Sequence, residues 1–173
     1  MNGTTIEQSL NALGLELPLP PKPVGAYVPA VRTGRWVFTS GQLPLLEGRL
    51  TAAGKVPGEV SVEAAQAAAR QAALNALAAV RSVLGSLDSV DQVVRLTVYV
   101  NSSDGFTDQA KIANGASELL GAVFSTAGIH ARSAVGVAEL PLNASVELEL
   151  VVTVDASREE HTNKALSDAS VAG

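Results

Sequence analysis

The sequence contains no cysteine, few aromatic residues and no cluster of basic residues. The absence of cysteine excludes disulfide frameworks, thiolate nucleophiles and cysteine-ligated zinc sites, and it fits a reducing compartment. Only 12 Lys and Arg stand against 17 Asp and Glu, which gives a net charge of −5. Because nucleic-acid binders neutralise phosphates with a basic face, we expect no nucleic-acid partner.

The sequence also lacks membrane and targeting segments. No uninterrupted apolar stretch approaches the roughly 18 residues of a membrane span. The first residues carry Glu7 where a signal peptide needs an apolar core, and no basic region precedes it. We therefore expect a cytoplasmic protein with no membrane partner.

Several catalytic and cofactor signatures are missing. The only histidines, His130 and His161, do not have the spacing of metal ligands, so no metal site is expected, and His130 is interpreted as a loop residue. No nucleophile elbow surrounds Ser40, and both histidines are far from it in sequence, which argues against a serine hydrolase. No glycine-rich loop opens a helix, so a nucleotide cofactor is not indicated.

The length of 173 residues and the hydrophobic content of 47% predict one globular domain. Four prolines between Leu17 and Pro23 favour an extended connection, so residues 1–23 are interpreted as an N-terminal arm lying on the domain. Residues 24–155 form the predicted domain, and the polar residues 156–173 form a C-terminal tail.

The spacing of hydrophobic residues predicts a chain of alternating strands and helices. Strands are predicted at residues 26–32, 36–40, 90–100, 132–137 and 145–154, with a loop at residues 44–60. Helices are predicted at residues 62–84 and 110–125. Ser61 caps the first of these helices, and Gly85 ends it.

This order predicts an α+β fold, a two-layer sandwich in which two helices cover one face of a mixed β-sheet. Strand alternation assigns Val93 to the same side as Tyr99, and we place Tyr99, Ala134 and Val151 on the face away from the helices. Because these residues are poorly suited to solvent, we expect another subunit to cover that face.

Three motifs follow one another along the chain. The first is VFTSGQLP at residues 37–44, the second is ARSAVGV at residues 131–137 followed by Leu140-Pro141, and the third is VELE at residues 146–149. Together they resemble the RidA/YjgF family of enamine/imine deaminases, over about residues 24–154. The resemblance implies a chorismate-mutase-like fold, a homotrimer with clefts at the subunit interfaces, and no cofactor.

The resemblance also implies a reaction. Members of the archetypal branch hydrolyse reactive 2-aminoacrylate and 2-imino acids to 2-keto acids and ammonia. By this resemblance, Arg132 holds the substrate carboxylate and Glu147 activates the attacking water. The substrate-binding positions that it implies are Tyr27, Ser40, Gly41, Asn114 and Ala134.

The chain departs from the archetype at several places. Ala134 replaces a frequent cysteine, and His130 replaces a proline. The segments before Ser61 and between Phe106 and Asn114 are longer, and the N-terminal arm is additional. These departures indicate a divergent subgroup whose cleft has a different shape.

The residue types fit this chemistry by themselves. An arginine guanidinium binds a carboxylate in bidentate fashion and stays charged, and such a contact contributes about 1.5–3 kcal/mol. Burial of a glutamate raises its pKa towards the range in which it can both take and give a proton. Without the resemblance, the ordinary interpretations are a surface ion pair for Arg132, and a polar outer strand face for Glu147 and Glu149.

Two alternative functions stay open. A cleft of this kind could bind a 2-keto acid or a related carboxylate and regulate a partner without turnover, which requires Arg132 but not Glu147. Some members of the family are described as endoribonucleases, but the acidic charge balance argues against that activity here.

Overall fold

The computed structural model describes residues 5–19 and 25–155. The predicted tail, residues 156–173, lies outside the described residues, as do residues 1–4 and 20–24 of the arm. The helices are α1 (Ile6–Ala12), α2 (Val62–Leu84) and α3 (Gln109–Phe124). The strands are β1 (Ala30–Thr33), β2 (Trp36–Thr39), β3 (Leu45–Leu46), β4 (Arg49–Leu50), β5 (Val90–Asn101), β6 (Ala131–Val137) and β7 (Val146–Val154). Within the described part of the chain, no helix is long and apolar enough to cross a membrane.

Local sequence signals fix both ends of α2, as predicted. The Ser61 side chain accepts a hydrogen bond from the Ala64 backbone N–H at 3.1 Å, and Gly85 ends the helix with a φ of 79°. The neighbouring helix approaches α2 closely, since a Cβ added at Gly115 of α3 would lie 2.0 Å from the Gln66 carbonyl oxygen. Only glycine permits this approach, and the two helices therefore form one layer.

Within residues 5–19 and 25–155, the main sheet has five strands in the order β1-β2-β7-β5-β6. Among these described strands, only the β5–β6 pair is parallel, so the sheet is mixed, as predicted. Alternate residues of the central strands, such as Leu96 and Val98 of β5 and Leu148 of β7, are fully buried against the helix layer. This arrangement confirms the α+β fold with both long helices on one face.

Two residues lie on a different side of the sheet from the side that the sequence predicts. Val93 is buried on the helix side and not on the side of Tyr99, because an irregular register between Val93 and Arg95 interrupts the alternation of β5. Ala134 pairs with Val98 and packs against the core, so its assignment to the uncovered face is wrong.

The segment predicted as a loop, residues 44–60, contains a small second sheet. Strands β3 and β4 pair antiparallel across Glu47 and Gly48, whose φ angles are 51° and 78°. Strands of two residues are too short to give a periodic signal in the sequence. In the main sheet, β1 begins at Ala30, later than predicted, directly after Pro29.

The sheet side away from α2 and α3, called the open face below, is apolar at several positions. These positions are Val31, Trp36, Phe38, Val135 and Val151. Trp36 and Phe38 stack with their ring centroids 6.4 Å apart and are 44% and 40% exposed. Exposed apolar patches of this kind mark interaction surfaces. Tyr99 and Val151 lie on the open face, as predicted.

Helix α1 attaches the N-terminal segment to the domain. The Thr5 side chain accepts a hydrogen bond from the Gln8 backbone N–H, and Leu10 is 1% exposed within the core. The Ile6 backbone N–H donates to Asp88 Oδ1 at 2.7 Å, directly before β5. The first residues of the described chain are therefore part of the packed domain.

Candidate active site

Arg132 lies on β6, an edge strand of the sheet, and its side chain is on the helix side. The register places it beside Leu96 of β5, which is buried against the helix layer. Its guanidinium Nη1 donates hydrogen bonds to Asn114 Oδ1 at 2.8 Å and to Ser117 Oγ at 3.0 Å, both on α3. Arg132 is nevertheless exposed, so a ligand can reach it.

Ser117 connects Arg132 to His130. The Nε2 atom of His130 lies 3.0 Å from Ser117 Oγ, and its Nδ1 atom lies 2.6 Å from the Gly128 carbonyl oxygen. We call Arg132, Asn114, Ser117 and His130 the arginine cluster. Asn114 and Ser117 are one helical turn apart on α3, and His130 and Arg132 have the two-residue spacing that shares one side of an extended chain.

Glu147 lies on β7 and faces the open side of the sheet. It pairs with Tyr99 of β5, and its carboxyl group covers Gly41, because a Cβ added at Gly41 would lie 1.8 Å from Glu147 Oε1. Burial raises the pKa of Glu147, and the nearby charge of Glu149 raises it further. A half-buried carboxyl group with a raised pKa is better suited to both taking and giving a proton than an ordinary surface glutamate.

Tyr99 lies close to the same negatively charged carboxylates. Burial raises the pKa of its hydroxyl group, and the charge and hydrogen bonding of Glu149 and the charge of Glu147 raise it further, while Arg95 opposes the shift. We call Gly41, Tyr99, Glu147 and Glu149 the glutamate cluster. Its carboxylates repel each other, so the cluster favours retention of a proton.

Ser40 ties the segment before β1 to the glutamate cluster. Its Oγ donates a hydrogen bond to the Val28 carbonyl oxygen at 2.7 Å, and its backbone N–H donates to the Pro29 carbonyl oxygen at 2.9 Å. These bonds hold the segment that contains Tyr27 beside Ser40 and Gly41. Tyr27 itself is 51% exposed, so its ring is available for contact.

The predicted site residues form two groups on opposite faces of the sheet. Arg132 shares the side of Leu96, which faces the helices, whereas Glu147 shares the side of Tyr99, which faces away from them. Asn114 and Ala134 lie on the same side as Arg132, the first on α3 and the second on β6. One chain therefore does not bring Arg132 and Glu147 to one ligand.

Ser117 and His130 are the site residues that sequence reasoning missed. Ser117 lacks a motif, and His130 is interpreted from the sequence as a loop residue. The helical spacing of Asn114 and Ser117 is a signal that could have identified Ser117 once Asn114 was under consideration. Among residues 5–19 and 25–155, no group of three or more His, Asp or Glu side chains could hold a metal ion.

A cavity of about 520 Å³ lies elsewhere in the molecule. Its walls come from the N-terminal segment around Leu17, the β3–β4 hairpin around Leu46, and α2 at Gln71 and Asn75. No predicted site residue lines it. The cavity is therefore separate from both clusters.

Comparison with known proteins decides the family. A family model described as "YjgF/chorismate_mutase-like, putative endoribonuclease" matches residues 7–170. The chain belongs to the RidA/YjgF family. This membership agrees with the motifs at residues 37–44, 131–137 and 146–149, and the chorismate-mutase-like fold that they imply is the fold observed.

Some relatives in the RidA/YjgF family are named for an activity and others are not. Protein TCP17 of Trypanosoma cruzi is 42% identical over 151 residues, which cover 87% of this chain and 94% of that protein. The 2-iminobutanoate/2-iminopropanoate deaminase of Dermatophagoides farinae is 32% identical over 141 residues, covering 82% of this chain and 95% of the relative. Among solved structures, the protein Atu1372 of Agrobacterium tumefaciens, of unknown function, superposes with a TM-score of 0.81 at 41% identity, covering 87% of this chain and 92% of that chain.

Proposed function

We propose that the protein is a cofactor-independent hydrolase that converts 2-aminoacrylate and 2-imino acids to 2-keto acids and ammonia. The observation that carries this proposal is the Glu147 carboxyl group, which is half-buried over Gly41 and has a raised pKa. The relative at 32% identity that is named a 2-imino acid deaminase supports the same reaction class.

In the proposed reaction, Arg132 holds the substrate carboxylate while water attacks C2. The reaction starts from the protonated imine, to which 2-aminoacrylate tautomerises. Glu147 takes a proton from water as the oxygen bonds to C2 and the C=N electron pair moves to nitrogen, which gives a neutral carbinolamine. Glu147 then gives this proton to the amino nitrogen, and the C–N bond breaks as the C=O bond forms. Ammonia leaves, and Glu147 takes the proton of the C2 hydroxyl group. The carbon skeleton is neither oxidised nor reduced, so the reaction needs no redox partner.

Because Arg132 and Glu147 lie on opposite faces of the sheet, we propose that the cleft forms between copies of the chain in a homotrimer. In this assembly, the arginine cluster of one subunit and the glutamate cluster of its neighbour face each other across a cleft. The apolar open face, with Trp36 and Phe38, supplies surface for the subunit contacts.

The remaining predicted contacts divide between the two halves of this cleft. Asn114 and Ala134 belong to the arginine side, and Tyr27, Ser40 and Gly41 belong to the glutamate side. Because the Ser40 hydroxyl donates to the Val28 carbonyl oxygen, it can only accept a hydrogen bond from a substrate. We propose that it accepts from the substrate amino or imino nitrogen.

The proposal is tested by measuring imine hydrolysis. An amino-acid oxidase generates 2-imino acids from several L-amino acids in the presence of semicarbazide, which traps the imine that survives. The wild-type protein should lower the semicarbazone signal, and Arg132→Ala and Glu147→Gln should restore it. Exposed Glu118 provides a matched control, since Glu118→Gln changes one carboxyl group outside both clusters.

An unchanged semicarbazone signal for small and bulky side chains would contradict the deaminase proposal. Binding of 2-ketobutyrate without any effect on imine decay would instead support the regulatory carboxylate-binding function, which needs the arginine cluster alone. Calorimetry with 2-ketobutyrate therefore accompanies the kinetic assay.

A further inference from the structure

The hydrogen bonds of Arg132 leave one particular edge of its guanidinium group available. Nη1 carries two hydrogens, and it donates to two acceptors, Asn114 Oδ1 at 2.8 Å and Ser117 Oγ at 3.0 Å. Within the described residues, Nε and Nη2 of Arg132 donate to no protein group. These two nitrogens form a planar edge that matches the two oxygens of a carboxylate.

The partners of His130 fix the direction of every hydrogen bond in the cluster. The Gly128 carbonyl oxygen can only accept, so Nδ1 of His130, 2.6 Å away, carries the ring proton in the neutral state. The unprotonated Nε2 atom then accepts a hydrogen bond from the Ser117 hydroxyl group at 3.0 Å. Ser117 thus accepts from Arg132 and donates to His130 at the same time.

We propose that Ser117 and His130 are positioning residues that hold Arg132 with its Nε–Nη2 edge directed to the ligand carboxylate. Ser117 fixes Nη1, and His130 keeps the Ser117 lone pairs directed at Arg132 by accepting a hydrogen bond from the Ser117 hydroxyl group. The identity of the ligand, a 2-imino or 2-keto monocarboxylate, rests on the proposed function. The chain of hydrogen bonds from His130 through Ser117 to Arg132, called the relay below, is a property of the free chain.

The relay reduces the cost of binding a flexible arginine. A free arginine side chain must lose rotamer freedom when it forms a bidentate pair, whereas one held at Nη1 has already lost most of it. In the proposal, His130 and Ser117 act on Nη1 of Arg132, whereas the ligand carboxylate binds the Nε–Nη2 edge. Their contribution therefore falls on carboxylate affinity and not on proton transfer.

The first test measures binding and turnover of the full-length protein with four variants. Ser117→Ala and His130→Leu remove the relay, while Ser117→Thr keeps the hydroxyl group and His130→Gln keeps an acceptor near the position of Nε2. The first pair should raise the Kd for 2-ketobutyrate and the KM for the imino acid about threefold to tenfold, the size of one lost hydrogen bond. The second pair should stay within about twofold of the wild type.

Two features distinguish the relay from a general loss of structure. Because His130 acts only through Ser117, adding His130→Leu to Ser117→Ala should weaken binding no further. The loss should appear in KM with little change in kcat. Ser82→Ala removes a hydroxyl group from α2 that bonds its own helix at Ala79, and this control should leave Kd unchanged. Additive losses, or equal losses in the Thr and Gln variants, would overturn the proposal.

The second test does not depend on any activity. Nitrogen-15 correlation spectra of the neutral His130 ring should show the Nδ1–H tautomer, and Ser117→Ala should shift the Nε2 resonance. An Nε2–H tautomer would overturn the relay even in an active enzyme. The predicted tautomer in a protein that neither binds 2-ketobutyrate nor hydrolyses imines would uphold the relay geometry and refute the proposed function.

Discussion

The polar groups on the two faces of the sheet differ in how well their surroundings stabilise them. In the arginine cluster, donors and acceptors are matched: Nη1 of Arg132 has two acceptors, and Ser117 and His130 complete the chain of hydrogen bonds. In the glutamate cluster, Glu147 is half-buried beside Glu149, and both effects disfavour its charged form. The hydrogen bonds of the arginine cluster are complete within one chain, whereas the glutamate cluster holds a carboxyl group whose surroundings favour its protonated form.

In the proposed reaction, anchoring and proton transfer are therefore built separately. The proposed anchor depends on contacts between β6 and α3 of one chain. The proposed proton transfer depends on the open face, where Glu147 lies over Gly41 and apolar residues are exposed. Variants on either side of the sheet should therefore give different kinetic results.

The largest effect is expected from a charge on the open face. Phe38→Glu places a carboxylate next to Trp36 in the surface that we propose is buried between subunits. We expect dissociation to folded monomers of 17.7 kDa and loss of nearly all turnover, since no complete cleft remains. Light scattering and the semicarbazide assay check both results, with Val83→Glu on the exposed side of α2 as the control. A trimeric, active Phe38→Glu variant would show that the open face is not the interface.

The second prediction separates the clusters by their kinetic effects. Glu147→Gln should lower kcat by about 10²–10⁴-fold with little change in the Kd of 2-ketobutyrate, because general acid–base groups contribute on that scale. Arg132→Ala should weaken binding of 2-ketobutyrate about tenfold to a hundredfold, because it removes a charge-assisted bidentate contact. Stopped-flow kinetics and calorimetry measure the two quantities, and the same pattern for both variants would contradict the division of roles.

The sequence predicts those parts of the fold that depend on local signals. The ends of α2 follow from Ser61 and Gly85, which act on the helix termini directly. By contrast, alternation alone places Val93 and Ala134 on the wrong face, because a strand irregularity and a parallel pairing are set by neighbouring strands. The sequence does not predict the β3–β4 hairpin, because strands of two residues are too short to show alternation.

The candidate site shows the same division between features that local sequence predicts and features that neighbouring strands determine. The motifs identify Arg132 and Glu147 as positions of interest, yet no motif states that they lie on opposite faces of the sheet. That fact comes from the register of β6 and β7 against β5. The link from His130, directly before β6, to Ser117 of α3 spans 13 residues, so local periodicity does not reveal it.

The smallest predicted effect is on stability, and its sign follows from the raised pKa of Glu147. A carboxyl group whose folded-state pKa is raised above 4.5 contributes stability that is full below the unfolded pKa and is lost as pH rises through the folded pKa. Glu147→Gln should therefore match the wild type in unfolding free energy near pH 4 and exceed it at pH 7 by less than about 1 kcal/mol, since partial exposure screens the effect. Urea unfolding at several pH values measures this difference, and Glu118→Gln should show none. A wild type that gains stability over the variant as pH rises would contradict the assigned environment.

The central claim, that each active site takes Arg132 from one subunit and Glu147 from its neighbour, is tested most directly by mixing impaired subunits. Arg132→Ala and Glu147→Gln chains with different affinity tags are co-expressed, and heterotrimers that carry both tags are isolated. In either 2:1 combination, one of the three clefts regains both residues, so we predict about a third of wild-type imine hydrolysis from two variants that are each strongly impaired alone. Heterotrimers no more active than the separate variants would contradict the shared site.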